Sequence, residues 1–128
     1  EARLMDYLDH FTNPKNIGVL PWATGIGESG SPAVANYLQI YLKIQDEVVQ
    51  EASYMIQGRP QAIAAASYAS QFVVGKSTQD LMQLSTDRLR DFFQWPGGLY
   101  EPCLMLVVEG IKNAILDHWQ RTDNYLQD

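Results

Sequence analysis

An alternation of period two runs through the middle of the chain. From Ala35 to Ile44, Leu38, Ile40, Leu42 and Ile44 fall on one side of an extended segment, and Tyr37, Gln39, Tyr41 and Lys43 on the other. This is the pattern of a half-buried strand with one apolar face. Gln45-Asp46-Glu47 supplies a turn. Val48-Val49 then begins a second strand, where Ala52, Tyr54 and Ile56 alternate with Ser53, Met55 and Gln57 as far as Gly58. So short a connection requires antiparallel pairing.

Elsewhere the period is helical. Leu4, Leu8 and Phe11, with Met5 beside them, predict a short first helix that stops at Asn13-Pro14, because the residue before a proline avoids the α region. Residues 13–33 carry Pro14, Gly18, Pro21, Gly25, Gly27, Gly30 and Pro32 and predict a long loop of flexible turns. The glycines lack the GxGxxG spacing behind a strand that a phosphate cradle requires. Pro60 suits the first position of a slim helix carrying Ala62, Ala64, Ala65, Ala66 and Ala69 to about Val74, ended by Gly75. Ser77 and Asp80 form a capping box with a shortened acid, and Thr86 is the predicted cap of the next helix, whose stripe is Leu89, Phe92 and Phe93. Trp95-Pro96-Gly97-Gly98 breaks the pattern. Pro102 reopens a helix to about Gln120, with Leu106, Val107, Gly110, Ile111, Ala114, Ile115, His118 and Trp119 on a broad apolar face. Strands followed by helices predict an α+β fold with helices packed on one face of a small antiparallel sheet. No repeat or linker divides residues 1–128, so a single domain is expected.

Composition narrows the function classes. With 46% hydrophobic and 19% charged residues the chain is no disordered tail. A single cysteine excludes an internal disulfide framework, a zinc ribbon and a four-cysteine cluster within one chain. The apolar stretches are too short to span a bilayer, and no basic segment followed by an apolar run opens the chain, so no secretory signal is expected. Nine basic residues against 15 acidic ones give a net charge of −6. The basic residues are scattered, and Arg88 and Arg90 are interleaved with Asp87 and Asp91. Nucleic acid and anionic membranes require clustered cations, so neither is expected as a partner. The acidic balance fits a cytoplasmic protein and would steer a basic protein partner.

Few residues offer chemistry. Cys103 falls one or two residues into the last predicted helix, where the N-terminus would favour a thiolate. The alternative is a small buried hydrophobe, since free cysteines are among the most buried residues. His10, beside Asp9, is expected to be a structural hydrogen-bonder, and His118 to pack at the apolar edge of the last helix; they form no metal-spacing pair. Asp46-Glu47 is expected to decorate a solvated turn. Tyr37 and Tyr41 either cover the sheet or form a contact patch. No HxxxH, paired catalytic acid or GxSxG pattern is present.

The order of these features resembles a known family. "LDHFTNPKNIGVL", residues 8–20, is similar to the signature that opens the iron–sulfur scaffold proteins of the NifU/IscU family. "GSPAVANYLQIYLKI", residues 30–44, resembles that family's Gly-x-Pro-x-Cys-Gly-Asp loop and first long strand. "IQGRPQAIAAASYASQFVVGKS", residues 56–77, resembles its Gly-Cys-Gly-x-Ala-Ile-Ala motif and the helix behind it. "PCLMLVVEGIKNAILDHW", residues 102–119, resembles its His-Cys motif and last helix. The match runs from about Leu4 to Trp119. The resemblance implies a three-stranded antiparallel sheet with helices on one face, and a scaffold rather than an enzyme. Such a scaffold takes sulfur from a cysteine desulfurase, builds a cluster on three cysteines with a nearby aspartate, and passes it on; some members hold zinc there instead.

The ligand positions implied by the resemblance are largely lost. They fall on Val34, Asn36, Arg59 and Cys103, with Ala35, Pro60 and Pro102 in place of neighbouring family residues. Trp95-Pro96-Gly97-Gly98-Leu99-Tyr100 replaces the Leu-Pro-Pro-Val-Lys segment that recruits a chaperone in part of the family. Valine offers no donor, Asn36 only a neutral carbonyl, and Arg59 a permanent cation. No iron–sulfur cluster or zinc is therefore expected as a cofactor. Three functions follow from the resemblance. The first is a divergent scaffold that acts in iron–sulfur cluster assembly by binding a cysteine desulfurase or other assembly proteins. The second is a single-thiol sulfur carrier in which Arg59 and the helix N-terminus hold Cys103 as a thiolate, a partial parallel to the SufE sulfur acceptors. The third is a fold reassigned to another binding role, with Val34, Ala35 and Pro102 lining an apolar pocket. Arg59 pointing into water on a relic site is the plain alternative to its pairing with Cys103.

Overall fold

A computed structural model of the chain describes residues 9–10, 12–31, 36–93 and 101–127. Three strands form one antiparallel sheet in the order β1-β2-β3: β1 Gly25–Ser31, β2 Asn36–Gln45 and β3 Val48–Gln57. Among the described residues four helices follow: α1 Pro60–Phe72, α2 Thr78–Leu81, α3 Thr86–Phe93 and α4 Glu101–Gln127. The α+β architecture is the one expected.

The β2–β3 hairpin forms where the alternation places it. Leu38, Ile40, Leu42 and Ile44 are buried against the helices, together with Val49 and Tyr54 of β3. Asp46 and Glu47 occupy the two-residue turn with φ of 54° and 59°, the doubly left-handed geometry that matches the twist of a tight hairpin. A bulge between Lys43 and Ile44 shifts the register beside it.

The third strand corrects the loop expected over residues 13–33. Gly25, Gly27 and Ser29 of β1 face α4, and they are small because the helix lies directly on them. A Cβ at Gly25 would stand 2.2 Å from the carbonyl oxygen of Ala114, and one at Gly27 only 2.3 Å from the carbonyl oxygen of Gly110. These glycines permit close approach of strand and helix rather than flexible turning. Ser29 fixes the contact by donating to the carbonyl of Leu106 at 2.6 Å.

Both borders of the sheet are engaged. On β1 the Ile26 amide donates to Asp117 at 2.8 Å, and Asn113 donates to the Glu28 carbonyl at 2.8 Å. On β3, Tyr54 exchanges backbone bonds with Asn16 and Gly18, and Val49 does so with Gly75 and Lys76.

The helices fill the inner face. The alanines of α1 are all buried, so this helix approaches both the sheet and α4 closely. Ser77 caps α2 by accepting from the Asp80 amide at 3.0 Å, as expected. The cap of α3 is Ser85 rather than Thr86: its hydroxyl accepts from the Arg88 amide at 3.1 Å. Asp80 does not close a capping box; its carboxylate takes a two-pronged contact from Arg88, both bonds at 3.0 Å. The last helix runs past the expected Gln120 to Gln127, helped by the Arg121–Asp117 pair and by Thr122 donating to the His118 carbonyl. Leu4, Met5, Leu8 and Phe11 of the predicted first helix lie outside the described residues, though Asp9, His10 and Thr12 are helical. The side chains of Phe92 and Phe93, and residues 94–100, lie outside them as well.

Candidate functional site

One end of the domain gathers three chain connections. They are the start of β2 at Asn36, the β3–α1 junction at Gly58-Arg59-Pro60, and the first turn of α4 at Pro102-Cys103. The Asn36 side-chain oxygen accepts from the Arg59 amide at 3.4 Å. Gly58 makes room for that contact, since a Cβ there would lie 2.8 Å from the same oxygen. Arg59 is exposed, with extended backbone (φ −70°, ψ 158°), and its carbonyl receives the first amides of α1 from Ala62 and Ile63. Val34 and Ala35 lie outside the described residues. Pro102 is exposed.

Cys103 is fully buried, in the same apolar cluster as Leu104 and Val107. Burial pushes its thiol up to about 11, and the opposing pull of the Arg59 charge is the weaker influence. A helix N-terminus and one exposed guanidinium therefore do not make this cysteine a thiolate near neutrality, because desolvation of the anion outweighs both. Of the two readings of Cys103, its burial among apolar side chains favours the small buried hydrophobe.

The donor set at this end does not suit a metal cluster or a zinc ion. It offers a buried protonated thiol, an amide oxygen engaged by backbone N–H, and a cation. Such ions need deprotonated sulfur, imidazole or carboxylate. Among the described residues no three His, Cys, Asp or Glu side chains converge in a way that could hold a metal.

The other candidates fall elsewhere. His10 is buried and meets the Ser67 hydroxyl through Nδ1 at 2.7 Å. The Lys15 amide donates to the same hydroxyl at 2.8 Å, so His10 is the structural hydrogen-bonder expected. It ties the N-terminal segment to α1 and stands edge-on to Tyr68. Tyr41 is buried, and its hydroxyl donates to Gln39 at 3.2 Å, so it covers its face of the sheet. His118 is not simply packed. Nδ1 lies 2.9 Å from the Thr24 hydroxyl and Nε2 is 3.5 Å from Glu47.

Glu47 is the residue that the sequence pattern does not single out. The Asp46-Glu47 turn is solvated as expected, but the Glu47 carboxylate also accepts from the Thr78 hydroxyl at 2.6 Å and from the Trp119 indole at 2.7 Å, both on Oε1. These two bonds, with His118 nearby, hold its pKa below the usual carboxylate range despite some burial. The two-residue hairpin connection foretells the turn; its partners come from elements 31 and 72 positions away.

Comparison with known proteins places this geometry in context. The family model for the NifU-like N terminal domain matches residues 5–124. The iron-sulfur cluster assembly scaffold protein IscU of Aquifex aeolicus is 34% identical over 116 residues, covering 87% of this chain and 72% of that protein. IscU 1 of Archaeoglobus fulgidus is 28% identical over 116 residues, covering 88% of this chain and 74% of its own. Among solved structures, the N-terminal part of a NifU-like protein from Brucella abortus superposes with a TM-score of 0.71 at 16% identity, covering 91% of this chain and 93% of that one.

Proposed function

The chain belongs to the NifU-like N-terminal domain family, and from that premise we propose that it is a divergent scaffold of iron–sulfur cluster assembly, acting through protein partners with an impaired cluster site of its own. Residues 1–128 are read as one such domain. As a member of a family of scaffolds it is not an enzyme. The relic ligand positions are Val34, Asn36, Arg59 and Cys103. The observation that carries the reading is the state of the last of these. The one remaining cysteine is buried and protonated, while its neighbours in the tip offer an engaged amide and a cation. Partners are expected among cysteine desulfurases and other assembly proteins, in the cytoplasm. No nucleic-acid or membrane partner is expected, and no helix among the described residues is long and apolar enough to cross a membrane.

Two measurements test the two halves separately. Anaerobic incubation with ferrous iron, cysteine and a cysteine desulfurase should leave the protein colourless; a stable cluster spectrum with stoichiometric iron would overturn the impaired site. Calorimetry or gel filtration with a cysteine desulfurase should detect a complex, and failure to bind any assembly factor would overturn the partner role. Mass spectrometry of the same incubation should find no added sulfur on Cys103. A persulfide there would restore the sulfur-carrier alternative.

A further inference from the structure

The opposite end of the molecule holds a concavity that plays no part in the tip chemistry. Cys103 and Trp119 are sixteen residues apart on α4, or about 24 Å along a helix. The concavity has a volume of about 420 Å³ and is lined by Glu47, Ser77, Thr78, Gln79, Met82, Gln83 and Trp119. It is large enough for a substantial side chain.

Its lining has a definite chemical character. Glu47 is the sole charged residue among those that line it, and no Lys or Arg does so. Its carboxylate is oriented rather than free to turn, because Oε1 receives both the Thr78 hydroxyl and the Trp119 indole. Oε2 faces His118 Nε2 at 3.5 Å, a long and weak contact. The bonds from Thr78 and Trp119 favour the ionised carboxylate. Trp119 and Met82 supply apolar wall beside this anion, and Gln79 and Gln83 are exposed at the mouth. A fixed anion next to an aromatic and a thioether suits a cation on an apolar stem. The net charge of −6 favours approach of a basic protein.

We propose that this concavity receives an arginine or lysine side chain of a basic partner protein, with Glu47 as counter-ion and Trp119 and Met82 flanking the methylene stem. The inference goes beyond the scaffold reading and does not depend on it, since its test addresses the concavity alone.

The test is an NMR titration of the full ¹⁵N-labelled chain, reading the Trp119 indole N–H. Butylguanidinium should give a saturable shift and its neutral isostere butylurea none. A capped Gly-Arg-Gly peptide should shift the same resonance at least as strongly as the bare cation. Met82→Lys sets a competing ammonium in the concavity and leaves the Glu47 bonds in place. It should weaken butylguanidinium binding by about fivefold or more, as should Glu47→Gln, with the backbone spectrum otherwise native. Equal shifts from the urea would reduce the site to an apolar hollow and overturn the proposal. So would an unchanged affinity in Met82→Lys. Exclusion of the peptide while butylguanidinium binds would overturn the protein source of the cation.

Discussion

Gly27 stands so close to Ala114 that a Cβ on the strand residue would lie 2.3 Å from the helix nitrogen. The clash is with backbone, so no rotamer change relieves it, and β1 and α4 would have to separate. Gly27→Ala should therefore lower stability by about 3 kcal/mol, the upper part of the usual overpacking range. Gly75 has φ of 88°, and a Cβ there would meet nothing within 4 Å. Gly75→Ala should cost only its conformational strain, about 1–2 kcal/mol. Urea denaturation checks both, and a Gly75 variant less stable than the Gly27 variant would contradict the close-approach account.

Ser67→Ala should destabilise through loss of partners rather than loss of volume. The hydroxyl serves both His10 Nδ1 and the Lys15 amide, and its residue is fully buried. Removing it leaves two polar groups unsatisfied, a loss of about 1–3 kcal/mol. Hydrogen exchange localises the effect: the amide of Lys15 should lose protection before those of β2.

Glu47 should make stability depend on acidity in a defined direction. Its folded pKa lies below the ordinary value of 4.5. Its stabilising contribution is thus fully present above about pH 4.5 and is lost as the pH falls through the lowered folded value. Asp9 and Asp80 are depressed too, by Lys15 and Arg88 respectively, and act with the same sign. The test is a difference: the denaturation midpoint of the parent should fall more steeply between about pH 5 and about pH 3 than that of Glu47→Gln. Parallel curves would remove Glu47 from the account.

Cys103 should react slowly while the chain is folded. With its thiol raised to about 11, only about one molecule in ten thousand is ionised at neutral pH, and the sulfur is buried besides. Iodoacetamide labelling should be at least about a hundredfold slower in buffer than in denaturant. Rapid native labelling would restore the thiolate reading and reopen sulfur transfer.

The hairpin and α1 are legible in the sequence because their signals are local. Alternation at Leu38–Ile44 and the alanine run from Ala62 each declare a buried face. β1 is hidden because its reason for being a strand lies elsewhere in the chain. Gly25 and Gly27 read as breakers until Gly110 and Ala114 are placed against the strand. The cap of α3 differs from the expected one by a single position, Ser85 and Thr86 being adjacent residues of similar capping chemistry. At the tip, the loss of donors at Asn36 and Arg59 can be read from residue type, whereas the protonation of Cys103 cannot. That depends on how much water α4 excludes, which no motif encodes. Glu47 illustrates the same limit, since its importance comes from Thr78 and Trp119.

The engaged borders of the sheet bear on how the molecule meets copies of itself. Ladder positions at residues 26 and 28 on one side, and at 49 and 54 on the other, already have partners within the chain. A foreign strand seeking to extend the sheet would first have to displace a helix side chain or a backbone strap. Edge-to-edge growth, the usual route from small β-containing domains to fibrils, is obstructed at each flank.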